Sequence, residues 1–268
     1  KGKLALNVIQ DYNKTPQGFK FNIKEAFDCI IDIIDLRGFD LLGVSLFSDK
    51  DIHITLLLLE QIKLKFPKIK IILGGVHVYA VNSVFLEKTN FIDYVVSGNG
   101  EIPLEEMLKY GNCNKIEESR IPGLYYRRNN KIFHNKNKIL PMSQTACPDY
   151  SNLIPERKNW SIPYMISQGC CSDCNFCSKP KISFESMSIG KALREIRFLM
   201  EKHQNKYFSF NDLDFFLNLR RNREFCKNMI DNKFDIKWDC RARIRNVSEN
   251  IFKELYEAGC RTIVWGIE

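Results

Sequence analysis

The chain has 268 residues, 44% of them hydrophobic and 27% charged, with a formal net charge of +8. At roughly 150 residues per domain, that length accommodates about two domains of ordinary globular composition. No apolar run approaches the roughly 20 residues of a membrane-spanning helix, and no signal peptide is legible behind Lys1 and Lys3. The cytoplasm is the expected compartment. The positive charge is dispersed, and the basic stretch 127–138 carries no aromatic ladder. It reads as solvated surface rather than a nucleic-acid interface.

In chain order, Leu4–Gln10 reads as a strand and Ile23–Arg37 as a helix with an apolar face. Asp40–Phe47 is a second strand, Ile54–Phe66 a helix stopped by Pro67, and Lys70–Leu73 a buried strand running into Gly74-Gly75. Asp93–Val96 and Pro103–Lys109 add a strand and a helix. Alternating strands and helices predict a parallel, helix-flanked sheet, with ligands beyond the carboxyl ends of its strands. The stretch 113–160 is punctuated by Pro122, Pro141, Pro148 and Pro155 and reads as a connector with one hairpin, Leu124–Phe133.

A second alternating region begins at Ser161. Strands are predicted at Ile162–Ser167, Tyr207–Phe210, Asp235–Asp239 and Thr262–Gly266, and helices at Ile189–Glu201, Arg221–Asn232 and Glu249–Glu257. Ser248 is the expected N-cap of the last helix and Gly259 its stop. Polar residues follow the strands: Asn211 and Asp212, Arg241 and Arg243, then Glu268. A full or partial α/β barrel builds its site in this way.

Ten cysteines are many for a reducing compartment. Six are scattered, while Cys170, Cys171, Cys174 and Cys177 cluster directly after a strand, which argues for a metal rather than disulfides. Cys170, Cys174 and Cys177 form C-x3-C-x2-C, which supplies three corners of a cubane iron–sulfur cluster and leaves one iron open to a small molecule. A frame starting at Cys171 is also conceivable, and zinc is the alternative metal, although no fourth ligand stands at matched spacing.

The string from Ser167 to Cys177, with Phe176 before the last cysteine, resembles the cluster loop of the radical S-adenosylmethionine superfamily. Phe208–Asp212, Trp238–Arg243 and Gly266–Glu268 resemble its later strand motifs, in the right order. The resemblance implies that Cys170, Cys174 and Cys177 bind a [4Fe–4S] cluster whose open iron chelates S-adenosylmethionine. Phe176, Asn211, Asp212, Arg243 and Glu268 would hold that molecule. It further implies one-electron cleavage to a 5′-deoxyadenosyl radical, an electron donor of flavodoxin or ferredoxin type, and a small-molecule or peptide substrate.

Gly43–Phe47, Ile72–His77 and Asp93–Glu101 resemble the cobalamin-binding Rossmann-like domain that precedes the radical domain in one branch. That implies a cobalamin pocket at Ser45, Phe47, Gly74, Gly75, His77, Gly98, Gly100 and Glu101. The motif that supplies a lower cobalt ligand is absent, since Leu56 stands where glycine is required after Asp51-Ile52-His53. The expected architecture is therefore α/β. A cobalamin-binding-like Rossmann domain (1–112) and the connector (113–160) precede an incomplete radical (β/α) partial barrel of four strands (161–268).

The family normally continues through two further strands, so the chain is expected to be a fragment with an open sheet edge. The implied reaction is methyl transfer to an unactivated carbon. The alternatives are a radical rearrangement or cyclisation, and a truncated paralogue without catalysis.

Overall fold

The computed structural model describes residues 23–33, 36–47, 49–76, 78, 83–110, 116–151, 160–172, 174–175, 177, 183–245 and 247–267. The strand expected at Leu4–Gln10 lies outside them. The chain divides between Ile139 and Leu140 into two compact units.

In the first unit, α1 (Ile23–Ile33), β1 (Leu41–Ser45), α2 (Ile52–Lys65), β2 (Lys70–Gly74), α3 (Val84–Lys88), β3 (Tyr94–Val96) and α4 (Glu101–Lys109) follow one another. The hairpin β4 (Leu124–Arg128) and β5 (Lys131–His134) completes a five-stranded sheet in the order β1-β2-β3-β4-β5. β1, β2 and β3 are parallel, while β4 joins β3 antiparallel. The hairpin expected in the connector is thus part of this sheet. Asn129 and Asn130, both at positive φ (51° and 60°), make its turn, a conformation that asparagine tolerates better than most residues. Ile71, Leu73, Val95 and Ile92 are fully buried beneath it.

The second unit starts with β6 (Ile162–Tyr164) and the short pair β7 (Ser167–Gln168) and β8 (Glu185–Ser186). It continues through α5 (Ile189–His203), β9 (Tyr207–Phe210), α6 (Leu219–Asp231), β10 (Lys237–Arg243), α7 (Glu249–Glu257) and β11 (Cys260–Gly266). β6, β9, β10 and β11 form one all-parallel sheet in the order β11-β10-β9-β6. Phe210 packs centrally, 6.2 Å from the Phe215 ring and 5.0 Å from the Trp238 ring. Burying a ring of this size contributes about 2–3 kcal/mol.

β10 runs four residues beyond the expected Asp239. Trp238, Cys240 and Ala242 are buried and Arg241 and Arg243 exposed, a period-2 pattern in which the arginines are strand residues. Ser248 has the extended backbone of an N-cap but makes no side-chain cap bond. Among the described residues, no helix is long and apolar enough to cross a membrane.

Candidate functional site

The cysteines occupy the loop between β7 and β8. Its ends are held by the Ser167–Ser186 and Gln168–Glu185 pairs and by a Met187 N–H bond to the Ile166 carbonyl at 2.9 Å. Gly169, at φ 79°, turns the chain into the loop. Cys170 and Cys174 are half-buried, Cys171 and Cys177 exposed, and all four are free. The Ser172 N–H points to the Cys170 sulfur at 3.4 Å, and the Cys177 N–H donates to the Cys174 carbonyl at 3.0 Å. Among the described residues, no three His, Cys, Asp or Glu side chains already converge on a metal position. The donor chemistry nevertheless fits an iron–sulfur cluster, because soft thiols crowd one accessible loop. Cys174 and Cys177 belong to both possible ligand frames.

Parallel pairing brings the carboxyl ends of the four long strands to one edge. Tyr164 faces Phe210, Phe210 faces Cys240, and Arg243 faces Gly266. Asn211, half-buried, donates its N–H to the Tyr164 carbonyl at 2.8 Å. Arg243 is exposed and closes β10. Phe176 and Glu268 lie outside the described residues.

Asp212, expected at the S-adenosylmethionine site, turns its side chain into the fold. It is fully buried, and its carboxylate accepts from the Ile166 N–H at 3.2 Å and from the Ser167 hydroxyl. Burial pushes its pKa up, against these hydrogen bonds.

Three further polar residues at this edge escaped the sequence reading. Asp214 is 3% exposed and accepts from the Phe216 N–H at 3.0 Å, the Arg243 N–H at 3.3 Å and Arg245 at 2.5 Å. It thereby fixes the end of β10 that carries Arg243. Arg221 completes the group from α6, donating to the Met187 carbonyl at 2.5 Å. The available signal was the Asp-x-Asp spacing of 212 and 214 just past a strand, where two acidic residues have little reason to be core.

The other described cysteines of this unit behave as packing residues. Burial pushes the Cys147 thiol up to about 11 and the Cys226 thiol up to about 12. The hydrogen bond between Cys240 and Cys260 pushes the Cys240 thiol up and the Cys260 thiol down.

At the first unit's strand ends, Ser45 pairs with Gly74 in register, and the Leu46 N–H donates to the Gly74 carbonyl at 2.8 Å. A Cβ on Gly75 (φ 103°) would sit 2.5 Å from the Leu46 carbonyl oxygen and 2.8 Å from Ser45 Oγ. That glycine is required by the neighbouring turn. Gly74 is different, since a Cβ there would meet nothing within 4 Å.

Gly98 and Gly123, both at positive φ, lie against the Asn137 side chain, with Cβ positions 2.2 Å and 2.9 Å from it. Packing therefore accounts for Gly98 without any ligand. Gly100 precedes α4, whose first residue, Glu101, is exposed. Ser45 is exposed, and Phe47 is 82% exposed at the same edge. His77 lies outside the described residues, and His53 is an exposed residue of α2.

Residues 6–108 match the B12 binding domain family. The chain is 27% identical over 208 residues to an uncharacterized methyltransferase of Pyrococcus horikoshii, covering 74% of this chain and 45% of that protein. It is also 27% identical over 222 residues to the anaerobic magnesium-protoporphyrin IX monomethyl ester cyclase of Cereibacter sphaeroides, covering 74% and 35%. Among solved structures, it resembles the radical S-adenosylmethionine methyltransferase TsrM of Kitasatospora setae, with a TM-score of 0.72 and 15% identity over 90% of this chain and 51% of that one. At that identity the likeness is one of fold. The chain spans about half or less of the length of each of these proteins.

Proposed function

We propose that this chain, a member of the cobalamin-binding branch of the radical S-adenosylmethionine superfamily, is the cofactor-holding part of an enzyme that methylates an unactivated carbon. What carries the reading is the loop of Cys170, Cys174 and Cys177 at the carboxyl edge of a parallel sheet, in a chain whose other unit matches a B12 binding domain.

In this reading residues 1–112 hold cobalamin, 161–268 hold the cluster and S-adenosylmethionine, and 113–160 connect them. Cys170, Cys174 and Cys177 ligate the [4Fe–4S] cluster. Asn211 and Arg243 contact S-adenosylmethionine from the strand ends, with Phe176 and Glu268 assigned by resemblance alone. Ser45, Phe47, Gly74 and Gly75 line the cobalamin side, with His77, Gly98, Gly100 and Glu101 around them. The open space over Gly74 suits a bulky ligand lying on bare backbone. The exposed Phe47 ring would be covered by such a ligand. When bound, the cofactors supply an electron, a 5′-deoxyadenosyl radical and a methyl carrier. The protein's part is to orient them and to keep water from the radical. The electron comes from a donor of flavodoxin or ferredoxin type, and the acceptor is a small molecule or peptide.

Cyclisation is the second reading, favoured by the equal 27% identity to a cyclase. Anaerobic reconstitution of the full-length protein separates the two. A methyltransferase releases S-adenosylhomocysteine as well as 5′-deoxyadenosine, whereas a cyclase releases only the second. Absence of both cobalamin absorption and 5′-deoxyadenosine overturns the proposal.

A further inference from the structure

Asp212 spends its side-chain hydrogen bonds on the two residues that lead into the cysteine loop, Ile166 and Ser167. The other end of that loop is held by Arg221. Its Nη2 donates to the Met187 carbonyl at 2.5 Å, and its Nη1 donates to Asn222 Oδ1 at 2.8 Å. Asn222 is itself buried and donates to the Phe215 carbonyl. The guanidinium is therefore braced rather than free to swing. Both charged groups come from one short stretch, the exit of β9 and the first turn of α6, and their charges attract. Between these anchors the loop ends are stitched together by the β7–β8 pair. Glu185 adds to this by accepting from Gln168 and from the Met142 N–H, each at 3.1 Å.

We propose that Asp212 and Arg221 are positioning residues that fasten the two ends of the cysteine loop, so that Cys170, Cys174 and Cys177 close on a metal from fixed loop ends. The proposal rests on reading 169–184 as a cluster loop. Packing alone does not account for Asp212. A carboxylate sealed in a core costs stability that its hydrogen bonds only partly return, and a neutral side chain of the same shape fills that space at less cost. Fixing the loop ends removes conformational freedom that ligand binding would otherwise have to remove.

The test uses the full-length protein as wild type, Asp212→Leu and Arg221→Met, with Asp239→Asn as control. Asp239 accepts from the Ser209 hydroxyl at 2.7 Å, a bond between neighbouring strands of the same sheet. Hydrogen exchange is read on the metal-free proteins. The amides of Ile166, Ser167 and Met187 are expected to exchange about tenfold faster in both variants, with Phe208–Phe210 and Trp238–Cys240 unchanged and the control like wild type. After anaerobic reconstitution, Asp212→Leu is expected to hold iron but to need about tenfold more S-adenosylmethionine to change the spin-resonance spectrum of the reduced cluster.

Unchanged exchange at the loop ends overturns the proposal. Equal acceleration through the whole sheet overturns it too, because that is the mark of a merely structural role. An unchanged response to S-adenosylmethionine removes the positioning claim. If wild type takes up no iron, the proposed function falls, and the exchange data still decide whether the ends are fastened.

Discussion

The two units build the carboxyl ends of their parallel strands by opposite chemical means. In the first unit the edge is made by leaving side chains out. Gly75 lets the β1 and β2 turns touch, Gly74 leaves clear space, and Gly98 makes room for Asn137. In the second, buried polar groups are brought in: Asp212 and Asn222 are nearly inaccessible, and Asp214 grips the end of β10. Bare backbone accommodates a large preformed ligand. Buried hydrogen-bonded polar groups instead tie the ends of a loop, and they do so at a cost in stability. Rigidity at the two edges therefore has different origins, and substitutions should expose the difference.

The largest effect is expected for Gly75→Ala. Its Cβ would fall 2.5 Å from a backbone oxygen at a positive φ, destabilising the first unit by about 2–3 kcal/mol in urea unfolding. Asp214→Ala comes next. It strands two backbone N–H groups and costs about 2 kcal/mol, whereas Arg245, 38% exposed, regains water. Loss of stability confined to the second unit is the expected readout.

The third contrast is alkaline sensitivity. Burial holds Cys226 protonated in the fold by pushing it from 9.0 to about 12. The unfolded chain ionises first, so stability falls as pH rises above about 9, by about 1.4 kcal/mol at pH 10. Unfolding curves at pH 8 and pH 10 should show that fall in wild type and less of it in Cys226→Ala. The smallest effect on stability belongs to Gly74→Ala, within about 0.5 kcal/mol. If bare backbone there serves cobalamin, the same change weakens cobalamin binding about tenfold in an absorbance titration. Unchanged binding would break the contrast drawn between Gly74 and Gly75.

Local pattern made much of this legible. β9 at Tyr207–Phe210 and α7 at Glu249–Glu257 lie where periodicity puts them. So does the cysteine loop, because thiol spacing is a local signal. The misses have non-local causes. α3 has five residues, too few for a helical period to appear. The β7–β8 pair has two residues on each side and exists because both ends are tied to β9 and α6. β10 continues to Arg243 because β11 pairs with it to the end and Asp214 receives its last N–H. Neither partner is visible from the Lys237–Arg243 string alone. The resemblance of Phe208–Asp212 to a family strand motif assigns Asp212 to S-adenosylmethionine, but it says nothing of that residue's partners in the fold. Only the folded positions of Ile166 and Ser167 reveal where its oxygens go.

The strand order β11-β10-β9-β6 has a consequence for synthesis on the ribosome. Each new strand is laid beside the one made before it, so the sheet grows outward in the direction of translation. Both anchors of the cysteine loop, Asp212 and Arg221, precede β10 and β11 in the chain. The ends of the loop can thus be tied while those two strands are still unmade, and the vectorial order of manufacture favours early anchoring of the thiol-bearing segment.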